Sequence, residues 1–287
     1  MAQVTDTRNS ASPSGTAKPA RRIGAAGLSP LDNEQAAAFS EAYAARPSAP
    51  VAVVIAAYNE EKSVGGVVTA VPKELCGLAT EVIVVVDGAR DATAAAARDA
   101  GALVCDVPVN RGQGAALRLG YHLARERGAN FIMSTDADGQ YASGDMERVL
   151  APVVAGGADF VSGSRRLGST TSHDHARNTG VVVFAGLISL LLRHKVTDPS
   201  CGLRAMKAEV SASVVLDQPQ YQASELLIGA AMAGYRLSEV PIAMEARQSG
   251  KTKKGGNFLY GVRFASVVVG TWARERRELR STKTSRS

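Results

Sequence analysis

From residue 50 onward, short apolar runs alternate with stretches of helical periodicity, and each run empties into a polar or glycine-bearing loop. Val51–Ala57 is apolar throughout and leads into Tyr58-Asn59-Glu60-Glu61, the pattern of a strand buried on both faces. A helix is expected from Ser63 to near Pro72, and a second strand over 81–86 ends at Asp87-Gly88-Ala89-Arg90-Asp91. Asp91 is a candidate cap for an Ala-rich helix over 92–100, and 102–106 reads as a short third strand. Asn110-Arg111-Gly112-Gln113-Gly114 opens an amphipathic helix to about Arg127, and a fourth strand over 130–135 delivers Asp136-Ala137-Asp138-Gly139-Gln140. Further strands are expected over 158–162 and 236–241, with helices near 143–155, 207–215 and 221–233. Such alternation predicts an α/β fold with a mostly parallel sheet and flanking helices.

In open α/β sheets, ligands bind outside the carboxyl ends of the strands. The loops at 51–61, 82–91, 110–118 and 135–140 all fall there, which predicts a nucleotide pocket. Asp136 and Asp138 are two carboxylates one residue apart at such a strand end. They suit a hard divalent ion that keeps positions open for substrate phosphates. Asp138-Gly139 is also ordinary turn chemistry, so the tripeptide alone leaves both readings open. The glycine signature of a dinucleotide-binding unit is absent, and so is a P-loop.

The 287 residues are 45% hydrophobic, enough for a sizeable core in one catalytic domain, placed at 50–256. Residues 1–49, rich in Ala, Ser and Pro, are expected to form a disordered extension without a signal sequence. Cys76, Cys105 and Cys201 match no zinc or redox spacing and read as reduced thiols of a cytoplasmic protein. The net charge of +6 is concentrated at the end: from Arg247 onward there are eleven Lys/Arg against Glu275 and Glu278. A basic tail on a slightly acidic body predicts an anionic partner. Nucleic acid is excluded for want of a recognisable module, and an anionic membrane surface fits better. Residues 181–192 carry no charge but are too few to span a bilayer, so they suit either a core helix or an interfacial one. Residues 258–272, aromatic and flanked by basic clusters, open a basic amphipathic helix and tail over 257–287 that either packs on the body or attaches to a membrane. These features predict a peripheral protein at the inner face of the cell membrane, with no transmembrane helix.

Several of these segments together resemble the glycosyltransferase family 2 enzymes, in particular the dolichyl- and polyprenyl-phosphate sugar synthases. The resemblance covers about residues 50–256. Ala57-Tyr58-Asn59-Glu60-Glu61 is similar to the family's opening P-A-Y-N-E-E, with Ala56 where proline is usual. Val86-Asp87-Gly88-Ala89-Arg90-Asp91-Ala92-Thr93 resembles D-D-G-S-x-D-G-T, with Val86 and Ala89 replacing an Asp and a Ser. The segment 110–118 is similar to N-x-G-K-G-A-A-L-R, with Gln113 where lysine is common, and 136–140 matches D-A-D-G-Q. Gly163-Ser164-Arg165, Ser200-Cys201-Gly202-Leu203-Arg204 and Gly250-Lys251-Thr252-Lys253 resemble the later G-S-R, S-G-F-R and G-K-S-K segments.

The resemblance implies a GT-A fold that binds a UDP- or GDP-hexose with Mg²⁺ or Mn²⁺ and transfers the hexose, with inversion, to a polyprenyl phosphate. By motif, Tyr58, Glu60, Asp87, Arg111, Gly112 and Asp136 bind the nucleotide sugar, and Asp136, Asp138 and Gln140 hold the metal. Arg165, Arg204, Lys251 and Lys253 meet phosphates of donor or acceptor. Asp136, Asp138, Arg165 and Arg204 form the catalytic set.

The chemistry asks for the same groups. Breaking an anomeric C–O bond to a diphosphate needs charge neutralisation on the leaving oxygens, and an arginine fork suits phosphate. A lipid phosphate, with a second pKa of about 6, is largely ionised near neutral pH and needs no general base. A soluble or polysaccharide hydroxyl acceptor needs one, for which Asp198 and Glu225 are both candidates. His173 and His175 flank Asp174, a pattern that fits either a metal site or a plain surface loop. D-x-D-G also occurs in aspartyl phosphatase loops, but there it ends the first strand of its domain, not the fourth.

Overall fold

The computed structural model describes residues 28–170, 175–245 and 257–284. Helix α1 (Pro30–Ala42) comes first, followed by β1 (Val51–Ala57), α2 (Val64–Ala70), β2 (Glu74–Leu75), β3 (Leu78–Asp87), α3 (Thr93–Asp99) and β4 (Leu103–Val107). Next come α4 (Gln113–Glu126), β5 (Phe131–Asp136), α5 (Gly144–Val154), β6 (Phe160–Thr170) and α6 (His175–Leu192). The chain continues through β7 (Arg204–Lys207), α7 (Ala208–Ser213), α8 (Gln222–Met232), β8 (Leu237–Met244) and α9 (Asn257–Thr284). The strands form one sheet, β2-β3-β1-β5-β7-β6-β8, with β4 also pairing β3. Strands β4, β3, β1 and β5 are parallel, whereas β7 runs antiparallel to both of its neighbours. The predicted α/β class holds, and β7 is an addition to it.

Both faces of the sheet are covered, which is why β1 reads as an unbroken apolar run. Val51, Val53, Ile55 and Ala57 join a core layer with residues of α2, α3 and α5. Ala52 and Val54 join the opposite layer, with residues of α1, α4, α8 and α9. In α4, Gly120 lets the helix approach so closely that a Cβ there would overlap the Val54 side chain.

The expected disordered extension over 1–49 is corrected for its last part. Pro30 opens α1 behind a capping box in which the Asp32 amide donates to Ser29 Oγ (3.1 Å) and the Ser29 amide donates to Asp32 Oδ2 (3.2 Å). Phe39 is buried and packs on Tyr43 in a tilted pair with ring centroids 4.8 Å apart, and the Tyr43 hydroxyl accepts the Val104 amide at 2.9 Å. Helix α1 thus covers β4, the outer parallel strand, and satisfies one of its edge donors.

The C-terminal segment packs on the body as well. Phe264 and Val268 of α9 are buried, Phe184 of α6 meets Phe264 at 4.3 Å, and Trp272 Nε1 donates to the Leu191 carbonyl at 3.2 Å. Val182, Val183 and Leu190 of α6 and Val262 and Val269 of α9 remain exposed. Among the described residues no helix is long and apolar enough to cross a membrane.

Candidate active site

The carboxyl ends of β1, β3 and β5 converge on a cavity of about 450 Å³. Its lining includes Tyr58, Glu60, Asp87, Gly112, Asp136, Asp138, Gln140, Arg165 and Arg204, so the fold brings together most of the residues singled out in the sequence. Lys251, Lys253, His173 and Asp174 lie outside the described residues, as does the side chain of His175.

The loops at this end are stitched to one another. Asn59 sits in the left-handed region (φ 53°), and its Oδ1 accepts the Arg90 amide at 2.8 Å. The Glu60 amide donates to Thr93 Oγ1 at 2.8 Å, which ties the end of β1 to the start of α3. Asp87 Oδ2 accepts the amides of Arg111 (2.7 Å) and Gly112 (2.8 Å), and Oδ1 accepts Arg111 Nε at 3.1 Å. Asp87 therefore organises the 110–112 loop while lining the cavity. Arg111 itself does not line it: its guanidinium is taken up between Asp87 and the buried Asp32 of α1.

Asp136 accepts Gln113 Nε2 at 3.1 Å and lies against Gly202, where a Cβ would sit 2.5 Å from Asp136 Oδ2. Asp138 is buried and accepts the Gln140 amide at 3.3 Å, and Gln140 Nε2 donates to the Glu245 carbonyl at 3.1 Å. Two carboxylates and one amide oxygen make an all-oxygen donor set, and the absence of a Cβ at Gly202 lets the Asp136 carboxylate pack against that backbone. Among the described residues no group of three or more His, Cys, Asp or Glu gathers as a metal site. Such a set fits a hard ion of the Mg²⁺ or Mn²⁺ kind, which takes one or two carboxylates and completes its shell with substrate phosphates and water.

Tyr141, which the sequence reading did not single out, is partly buried, and its hydroxyl accepts the Gly202 amide at 2.8 Å. Burial holds its phenol well above the ordinary range, so it serves as a neutral strut between the Asp136–Gln140 loop and the 200–204 loop. Burial likewise pushes the Cys201 thiol up to about 12, which removes it as a nucleophile. Gln220, Tyr221 and Gln222 form another wall that the sequence did not disclose. The polar run Asp217-Gln218-Pro219-Gln220 between two apolar helices marks a loop, but only the tertiary fold places it here.

The two arginines differ in kind. Arg165 donates through Nε and Nη2 to both oxygens of Asp198 at 2.6 Å each, and Nη2 also reaches Ser200 Oγ at 2.8 Å. Burial pushes the Asp198 carboxyl up, but the Arg165 fork outweighs it and the net direction is down. Asp198 is thus an ionised anchor, not a base. Glu225 is fully buried and paired with Arg274 of α9 at 3.2 Å, so neither carboxylate considered as a base is free for that role. Arg204, 1% exposed, donates to the carbonyls of Ala223 (2.5 Å) and Pro199 (3.1 Å), while its buried Nε has no partner among the described residues. No carboxylate among the described residues pairs with it, and a buried guanidinium in that condition calls for an anion.

Asp198→Asn is expected to destabilise the fold by about 3 kcal/mol at neutral pH, because it leaves Arg165 buried without its counter-charge. A depressed carboxylate pKa contributes stability above the unfolded-state value and loses it as pH falls through the folded-state one. The difference between wild type and variant should therefore shrink below the ordinary aspartate range. Urea unfolding at several pH values measures it.

Residues 52–214, more than half of the chain, match the family described as glycosyl transferase family 2. The dolichyl-phosphate hexose transferase of Haloferax volcanii is 32% identical over 229 residues, spanning 80% of this chain and 96% of that protein. The polyprenol monophosphomannose synthase of Mycolicibacterium smegmatis is 30% identical over 259 residues, 85% of this chain and 94% of the relative. The undecaprenyl-phosphate mannosyltransferase of Micrococcus luteus is 29% identical, covering 77% and 93%. Among solved structures, glucosyl-3-phosphoglycerate synthase from Mycobacterium tuberculosis, in complex with Mn²⁺, UDP and glucosyl-3-phosphoglycerate, superposes with a TM-score of 0.61. It shares 21% identity and covers 82% of this chain and 84% of its own, a likeness of fold.

Proposed function

Because the chain belongs to glycosyl transferase family 2, we propose that this glycosyltransferase, built on a GT-A fold, moves a hexose from a UDP- or GDP-sugar to a polyprenyl phosphate, with inversion and with Mg²⁺ or Mn²⁺. Arg204 carries the reading: a buried guanidinium in the cavity wall with an unpartnered Nε and no carboxylate suits a phosphate. The transferases of H. volcanii, M. luteus and M. smegmatis, named for dolichyl-phosphate, undecaprenyl-phosphate and polyprenol substrates, support the same acceptor class.

In this mechanism a lipid-phosphate oxygen attacks the anomeric carbon as the bond to the donor diphosphate breaks on the opposite face, which inverts the centre. The acceptor arrives ionised, so no side chain has to take its proton. That accords with Asp198 and Glu225 both being held in ion pairs with arginines. Asp136, Asp138 and Gln140 would hold the divalent ion, which when bound neutralises charge on the departing diphosphate. Asp87 and Gly112 shape the nucleotide end, with Tyr58 and Glu60 beside them. Arg204 positions the acceptor phosphate, and Arg165, its charge matched by Asp198, holds a fixed place in the same wall.

The experiment supplies labelled UDP- and GDP-hexoses with Mg²⁺ or Mn²⁺ and compares polyprenyl phosphate, the matching polyprenol and soluble hydroxyl acceptors. Transfer confined to the lipid phosphate is expected. Transfer to hydroxyl acceptors with none to the lipid phosphate would overturn the acceptor assignment.

We place the enzyme peripherally at the inner face of the cell membrane, a reading supported by the exposed valines and leucine of α6 and α9 and by the basic residues of α9. Deleting α9 would uncover the apolar surface that Phe264 and Val268 cover, Phe184 and Tyr221 included, so charge reversal is the cleaner test. Replacing Arg276, Arg277 and Arg280 by Glu should weaken binding to anionic vesicles by at least two orders of magnitude, at about 1 kcal/mol for each basic residue lost. The loss should fade as salt is raised. Vesicle co-sedimentation across a salt series reads it, and unchanged binding would remove α9 as the anchor.

A further inference from the structure

Helix α1 lies before the family-matched region, which begins at residue 52, yet one of its residues reaches the machinery at the nucleotide end of the cavity. Asp32 is fully buried. A carboxylate taken from water needs partners, and it finds them much later in the chain: Arg111 Nη1, 79 residues on, pairs with Oδ1, and Arg118 Nη2 lies 3.6 Å from Oδ2. The same Arg111 guanidinium uses Nε to hold Asp87 Oδ1 at 3.1 Å, while the backbone amides of Arg111 and Gly112 hold Asp87 Oδ2. Burial alone would push the Asp32 carboxyl up, but the bonds from Arg111 and Ser29 outweigh it, so it stays ionised at neutral pH.

We propose that Asp32 is a positioning residue for the nucleotide site, acting through Arg111 on the Asp87–Gly112 loop. The inference rests on the reading of the cavity as a nucleoside-diphosphate-sugar site. Asp87 and Gly112 line the cavity; Asp32 and Arg111 do not. Two of the three guanidinium nitrogens of Arg111 are satisfied by Asp32 and Asp87, and the third, Nη2, is buried without a partner among the described residues. Removing the Asp32 carboxylate leaves two buried nitrogens unsatisfied. The guanidinium must then reorient, and its hold on Asp87 goes with it. Gly112 cannot absorb much of that movement: it has φ 96°, and a Cβ there would lie 2.8 Å from the Pro219 carbonyl oxygen. Loop 110–112 is thus fixed from behind by α1 and from the side by the 217–222 loop, and the cavity wall is the surface between them.

The test titrates UDP and GDP with Mn²⁺ into the full-length enzyme and, in parallel, measures donor and acceptor KM. Asp32→Asn should raise the Kd of the nucleotide and the donor KM about tenfold, with the acceptor KM unchanged. Asp32→Glu, which keeps the charge, should recover part of the loss. Ser29→Ala removes the helix cap and one hydrogen bond to Asp32 Oδ2 but leaves the Arg111 pair on Oδ1 in place, and it should lower stability with less than about a twofold change in nucleotide affinity. Wild-type affinity in Asp32→Asn, or an equal loss in Ser29→Ala, would overturn the proposal. If Asp32→Asn does not fold, the comparison passes to Asp32→Glu, whose longer side chain must displace Arg111 by about a methylene; wild-type nucleotide affinity there with a shifted Tm would overturn it too. A wild-type enzyme that binds neither UDP nor GDP with Mn²⁺ defeats the reading of the cavity itself, and the inference with it.

Discussion

Asp138→Ala is expected to reduce kcat/KM by about a thousandfold, or about 4 kcal/mol of transition-state stabilisation, while leaving the fold intact. Asp138 is buried in the loop that follows β5, and it accepts the Gln140 amide, two residues on, at 3.3 Å. The loss of chemistry is expected to exceed the loss of stability. The rate loss should also resist rescue by excess Mn²⁺, because the variant lacks a donor oxygen that water replaces without its charge. Steady-state kinetics across a Mn²⁺ series, with thermal unfolding alongside, separates the two effects. Retention of more than a tenth of wild-type activity would mean that the Asp136-Ala137-Asp138 turn is a turn and nothing more.

Gly114→Ala should combine a loss of stability with a collapse of activity. In an exposed helix the exchange gains about 1 kcal/mol. At Gly114 the new methyl would overlap the backbone carbonyl oxygen of Gln218, with its carbon 3.0 Å away, and the Gly114 amide donates to the Pro219 carbonyl at 3.0 Å. Backbone cannot swing aside as a side-chain tip can. Overpacking and the strained hydrogen bond together should outweigh the helical gain, for a net loss of about 2 kcal/mol. The 217–222 loop would be pushed outward, and a displacement of about 1 Å at a cavity wall is enough to cost about a hundredfold in rate. Gly66→Ala is the counterpart: nothing lies within 4 Å of its Cβ position in α2, and the same substitution should stabilise. Urea unfolding and kcat/KM on the two variants measure opposite signs for one chemical change.

What the sequence disclosed and what it concealed follow from how far apart in the chain the interacting groups lie. Strand β1 was legible because both of its faces are buried, which leaves seven consecutive apolar residues to be seen. The Asp136–Gln140 loop was legible because its donors sit within five positions of one another. Strand β7 was not: Arg204-Ala205-Met206-Lys207 has no strand signature of its own and takes its bonding from β5 and β6 on either side. Asp198 could stand as a general base on paper because Arg165, which neutralises it, lies 33 residues earlier. Helix α1 was hidden for a related reason. Its Ala-rich composition gives it a weak apolar face, and its attachment rests on Phe39, Tyr43 and one carboxylate whose partner lies beyond four strands and two helices. Tyr221, Tyr141 and Gly202 act through contacts that exist only once the loops have met.

The chain contains a single tryptophan, Trp272, and the fold gives it an informative position. Its indole nitrogen is bonded to the Leu191 carbonyl of α6, and Arg276 lies over its ring with the guanidinium carbon 4.8 Å from the centroid. Intrinsic fluorescence is therefore a one-residue optical signal from the junction of α6 and α9, free of any background from other indoles. Undocking of the last helix, or withdrawal of Arg276 toward a lipid headgroup, would change the emission of an unlabelled, unmodified enzyme in real time.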